Sequence, residues 1–72
     1  MSKTICLDRV KVVAEMARKD VTGDELAQQA MVGRSAVLNA RKGRRIYRTT
    51  AQHIAAALGV PLEDLLEEGG RG

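Results

Sequence analysis

The supply of apolar side chains is the tightest constraint on this chain: ten of them are alanine, and Tyr47 is the only aromatic. Small side chains gain little area each on leaving water, so they make a core only where backbones approach closely. Short helices crossing at alanine contacts meet that demand, and 72 residues leave room for one such domain. The longest unbroken apolar run, Ile54 to Leu58, falls far short of the ~20 residues of a membrane span. No charged segment followed by an apolar stretch opens the sequence, as a secretory signal would. Cys6 has no second cysteine to bond and reads as a small packing residue. The expectation is a soluble, cytoplasmic domain without a membrane segment, metal or cofactor. A domain this small also gains stability from a second copy of itself.

Apolar spacing is helical throughout, and an all-α domain of five helices is expected. The first helix is predicted from about Asp8 to Lys19, with Val10, Val13, Ala14 and Ala17 on one stripe and Val12 and Met16 beside it. Thr22 to Glu25 (TGDE) is a capping box that opens a second, two-turn helix ending near Ala30, and Val21 and Leu26 form its hydrophobic staple. After Met31, Val32 and Gly33, a third helix runs from Arg34 to Lys42, with Gly43 as its left-handed stop. A loop, Arg44 to Arg48, leads to a fourth helix from Thr49 or Thr50 to Gly59, where Thr49 and Gln52 form a weaker capping box. Pro61 opens a short last helix with Leu62, Leu65 and Leu66 on its apolar side. The domain therefore spans 8–67, between an N-terminal arm (1–7) and a frayed tail (68–72).

Charge is distributed unevenly. Between Leu26 and Leu62 there is no Asp or Glu, yet Arg34, Arg41, Lys42, Arg44, Arg45 and Arg48 all lie there. The acids Glu63, Asp64, Glu67 and Glu68 follow this cationic block and cover a helix exterior. Like charges at that density repel until a polyanion approaches, although a solvated basic face accounts equally well for charge alone. Enzyme chemistry has little to work with. His53 is the only histidine, it falls at a surface position without a metal-ligating neighbour, and no glycine-rich phosphate loop precedes a helix.

Two short helices joined by a three- or four-residue turn make the helix-turn-helix plan, which needs apolar groups wherever the helices touch. Leu26, Ala30, Val32, Val37 and Ala40 supply them, and Ala27 is small where the second backbone passes. Through Val21–Ala27 (VTGDELA), Val32–Val37 (VGRSAV) and Gly43, the sequence resembles the phage-repressor/Cro-type, XRE-like helix-turn-helix family. Ile54–Val60 (IAAALGV) and Leu62–Leu66 (LEDLL) are similar to that family's fourth and fifth helices, so the resemblance covers roughly residues 8–67. It implies a compact five-helix, lambda-repressor-like fold and a DNA-binding regulator of transcription, working as a homodimer on double-stranded DNA with no small-molecule substrate. The same scaffold also serves as a protein-interaction module, such as an antitoxin or adaptor, and the acidic last helix is compatible with that.

The family plan sends the third helix into the major groove. Arg34, Ser35, Leu38, Asn39 and Lys42 share its outward face. Arg34 can bond guanine O6 and N7, and Asn39 adenine N6 and N7. Ser35 reads either way, and Leu38 is either a thymine-methyl contact or simply an exposed leucine. Lys42, Arg44, Arg45 and Arg48 are the phosphate candidates. Thr49, Thr50 and Tyr47 carry hydroxyls that can reach phosphate, but the threonines read first as caps and Tyr47 as packing at the core edge. Ile46 is expected in the core, as are Met16 and Met31. Leu62, Leu65 and Leu66 are the dimer candidates.

Three positions depart from the family. Gly23 stands where relatives often carry a glutamine that touches phosphate or orients a base-reading residue. Met31 occupies a left-handed turn position usually held by glycine, at a cost of about 1 kcal/mol. Arg41 replaces a frequent glutamate whose partner position on the first helix aligns with Met16.

Overall fold

The computed structural model describes residues 3–66. Element order is β1 (Thr4–Cys6), α1 (Arg9–Lys19), α2 (Gly23–Ala30), α3 (Arg34–Arg41), β2 (Arg45–Tyr47), α4 (Arg48–Leu58) and a 3-10 helix, Leu62–Leu65. The fold is thus mostly but not wholly helical. Four α-helices are present among the described residues, the expected fifth is a 3-10 helix, and two strands stand where none was expected. Each strand has three residues, too few for a two-residue period to show in sequence.

The strands pair antiparallel, Thr4 with Tyr47, Ile5 with Ile46 and Cys6 with Arg45. Ile46 points into the core while Arg45 and Tyr47 point out. Residues 44–48, expected as a loop, therefore include a strand whose inward residue was identified correctly. Positions 4–7, assigned to the N-terminal arm, carry β1 and the fully buried Leu7. Leu7 bridges to Leu66, and the Asp8 amide donates to the Leu65 carbonyl at 2.7 Å, so both ends of the described chain are tied together. The expected tail, 68–72, lies outside the described residues.

Helix boundaries follow the caps. Asp8 accepts from the Val10 and Lys11 amides and starts α1. The capping box at α2 is complete: the Thr22 hydroxyl accepts from the Glu25 amide and the Glu25 carboxylate from the Thr22 amide. The second expected box does not form. α4 begins at Arg48 directly after the strand, with Tyr47 as N-cap and no side-chain cap, so Thr49 is already helical and exposed. Pro61 is the N-cap of the 3-10 helix, one position before its expected place.

The core joins Leu7, Val12 and Met16 to Leu26, Ala27 and Ala30 of α2, Val37 and Ala40 of α3, Ile46, then Ala51, Ile54, Ala55 and Leu58 of α4, and Leu65. Every apolar residue expected to seat the helix-turn-helix is there, with Val32 half-buried against the cluster. On α1 Met16 is in the core as expected, but the stripe of Val10, Val13, Ala14 and Ala17 is not the inward one. Val12 and Met16 are buried, whereas Val10 (69 % exposed), Val13, Ala14 and Ala17 face solvent. Met31 is 85 % exposed and fills no gap, and Tyr47 is 64 % exposed rather than packed at the core edge.

Candidate nucleic-acid interface

The surface that α3 presents is set by what the helix hides. Val37 and Ala40 anchor it to the core, so the opposite side must be wet. Arg34, Ser35, Leu38 and Lys42 are exposed there, and Asn39 is half-buried. Its amide group makes no hydrogen bond among the described residues. The expected outward face is therefore present as a unit.

Two hollows flank this face. On the α2 side, Gly23 and Asp24 meet Arg34, Ser35, Leu38 and Arg41. On the sheet side, Ser35 and Asn39 meet Thr4, Arg45, Tyr47 and Thr50. Ser35 lines both, and thus sits on the ridge between them.

Of the cations assigned to phosphate, Lys42, Arg44, Arg45 and Arg48 are all exposed. A Schellman ending turns the chain from α3 into this segment. The Gly43 amide donates to the Ala40 carbonyl, the Arg44 amide to the Asn39 carbonyl, and Gly43 takes φ +74°. Glycine is favoured there, because an L side chain is strained at that φ. Arg45 is steadied by β1, its guanidinium donating to the Thr4 hydroxyl at 3.1 Å. The Arg48 amide donates to the Lys3 carbonyl. Pairing β2 with β1 thus fixes a run of cations that would wander on an open loop.

Two features went unread in the sequence. Asp24, in the first turn of α2, forms an ion pair with Arg34, its Oδ1 3.0 Å from Nε, joining residues on either side of the Met31–Gly33 turn. An acid near the start of α2 facing a base at the start of α3 was the available signal. Arg41 lines a hollow with Val13, Met16 and Ala17 of α1, where the buried Met16 offers it no charged partner. The Arg41 Nη1 lies 3.2 Å from where a Cβ on Gly23 would stand. The two departures are therefore one arrangement: the side chain missing from Gly23 leaves the space that Arg41 occupies.

Of the dimer candidates, Leu65 is completely enclosed in the domain's own core, with no surface to offer a second copy while the domain is folded. Leu62 and Leu66 are half-buried against that core. No group of acidic, histidine or cysteine side chains among the described residues is arranged to hold a metal ion. None of the described helices is long and apolar enough to cross a membrane.

Residues 13–67 match a family model described as the Cro/C1-type helix-turn-helix DNA-binding domain. No curated protein and no solved structure gives a match.

Proposed function

The chain belongs to the Cro/C1-type helix-turn-helix DNA-binding family, and on that premise we propose that it is a sequence-specific, repressor-like regulator of transcription that lays α3 in the major groove. Membership carries DNA binding in general and a fold that is not an enzyme's. The observation behind the finer reading is the solvent face of α3, where Arg34, Ser35 and Leu38 stand exposed beside Asn39 over a firmly buried Val37 and Ala40. Arg34 and Asn39 carry the donor and acceptor sets that distinguish guanine and adenine in that groove. Lys42, Arg44, Arg45 and Arg48 contact phosphates and fix the register without reading sequence. Arg41, on the α2 side of the same helix, adds a sixth cation to this acid-free stretch that includes Arg34.

The partner is double-stranded DNA in the cytoplasm, bound by two copies on a two-fold symmetric site. Half-sites then lie ~34–36 Å apart, or a multiple of that. Leu62 and Leu66 are what remains of the dimer surface read from the sequence. Selection from randomised duplexes, with sedimentation of the selected complex, tests both statements. The reading expects an enriched, symmetric motif carrying two protomers. A chain that enriches no motif is not a sequence-specific regulator, and one that ignores duplex even at low salt is an interaction module.

A further inference from the structure

We propose that Asp24 is a positioning residue for Arg34, raising base discrimination at one position while weakening the hold on DNA of any sequence. The inference rests on α3 being the base-reading helix. Both side chains of the pair are largely in solvent, 72 % exposed for Asp24 and 80 % for Arg34. An ion pair so exposed contributes little to folding, and what it sets is where the Arg34 guanidinium stands before DNA arrives.

Arginine can offer guanine either of two donor edges, one that includes Nε and one made of the two terminal nitrogens. The ion pair sets Asp24 Oδ1 3.0 Å from Nε, so the carboxylate occupies that side of the guanidinium and the terminal edge is left to meet O6 and N7 together. Holding the side chain beforehand also removes part of the ordering cost that a free arginine meets on binding. No other side chain of the first α2 turn does this. Gly23 has none, and the Glu25 carboxylate is committed to the Thr22 amide.

The same carboxylate has a second consequence. Placed 3.0 Å from a base-reading arginine, it brings a negative charge close to the duplex backbone. Non-specific affinity is set by net phosphate neutralisation, so that charge weakens binding to every sequence alike. One residue therefore pushes affinity and discrimination in opposite directions, which a merely structural residue does not do.

The test uses the full chain as wild type, Asp24→Asn, Asp24→Glu and Arg34→Ala, with the double variant Asp24→Asn/Arg34→Ala. Binding is measured to the selected duplex, to duplexes carrying each other base at the Arg34 position, and to unrelated duplex. For Asp24→Asn, unrelated duplex should bind about two- to fivefold tighter. Preference for guanine at the Arg34 position should fall about three- to tenfold. Asp24→Glu keeps the charge and the reach to Nε, and should restore most of the preference. In the Arg34→Ala background, Asp24→Asn should leave base preference untouched and still tighten unrelated duplex. The proposal is overturned if Asp24→Asn tightens all duplexes equally, which would make Asp24 an electrostatic brake, or if preference moves less than twofold in a chain that melts like wild type. Failure of the wild type to enrich any motif would instead remove the premise, and the proposal with it.

Discussion

At the scale of single residues, the interface separates into side chains that choose a base and side chains that only hold on. Arg34→Ala and Asn39→Ala should each lose about 1–3 kcal/mol of discrimination at one base position, with other positions unchanged. Competition binding against duplexes altered one pair at a time measures this; a uniform loss across positions would show that the residue contacts phosphate. The wheel of α3 was legible because Val37 and Ala40 are three apart and leave no choice of inward face. The neighbours of that face were not. Asp24 meets Arg34 and Gly23 meets Arg41 only because the turn between α2 and α3 doubles the chain back, and sequence spacing carries no trace of such meetings. Gly23 and Arg41 look like two independent losses in sequence, yet in space the second fills the vacancy left by the first.

At the scale of elements, the four α-helices end alike, each in a left-handed residue that turns the chain: Asp20, Met31, Gly43 and Gly59. Two of these are glycine and two carry a Cβ that disfavours the conformation. Met31 has φ +59° and a side chain that packs on nothing of consequence, being 85 % exposed. Met31→Gly should therefore stabilise the domain by about 0.5–1 kcal/mol, the relief at the turn being only partly offset by the looser unfolded chain. Reversible thermal unfolding should register a rise of several degrees, roughly 4–8 °C per kcal/mol for a domain of this size. A fall in midpoint would mean that the Met31 side chain contributes packing after all.

Caps were the part of the elements most legible in sequence, because their chemistry is local: the Thr22–Glu25 box closes within one turn. Faces and strands were less so. α1 carries apolar residues on two stripes, and periodicity cannot say which one faces inward. Val12 and Met16 face the core rather than the more extensive stripe of Val10, Val13, Ala14 and Ala17. β1 and β2 exist because residues forty positions apart meet, with Ile5 opposite Ile46. A three-residue segment has no local preference strong enough to announce that pairing.

At the scale of the whole molecule, the pattern of charge along the chain becomes a pattern on a surface. The cations from Arg34 to Arg48 fall on α3, on β2, on the turn between them and at the start of α4, elements that pack on one another in the fold. Their close neighbours are not all cationic, since Asp24 is drawn in beside Arg34. Binding to a polyanion through such a surface is driven by release of counterions, and each phosphate neutralised adds ~0.9 to the slope of log affinity against log salt. Arg44 and Arg45 follow the Schellman ending of α3, held by backbone bonds and by the Thr4 hydroxyl, with neither in an ion pair among the described residues. Arg44→Ala and Arg45→Ala should then weaken selected and unrelated duplexes by the same factor, each flattening the slope by ~0.9 for the phosphate it no longer neutralises. Titrations from low to moderate salt on both duplexes separate this from base reading: a variant that alters the preferred motif while keeping the slope would move that arginine from the backbone to the bases. Removing β1 supplies the counterpart, because it frees Arg45 without changing any charge on it. The slope should then stay near its wild-type value while affinity falls, since the same phosphate is met by a side chain that must first be ordered.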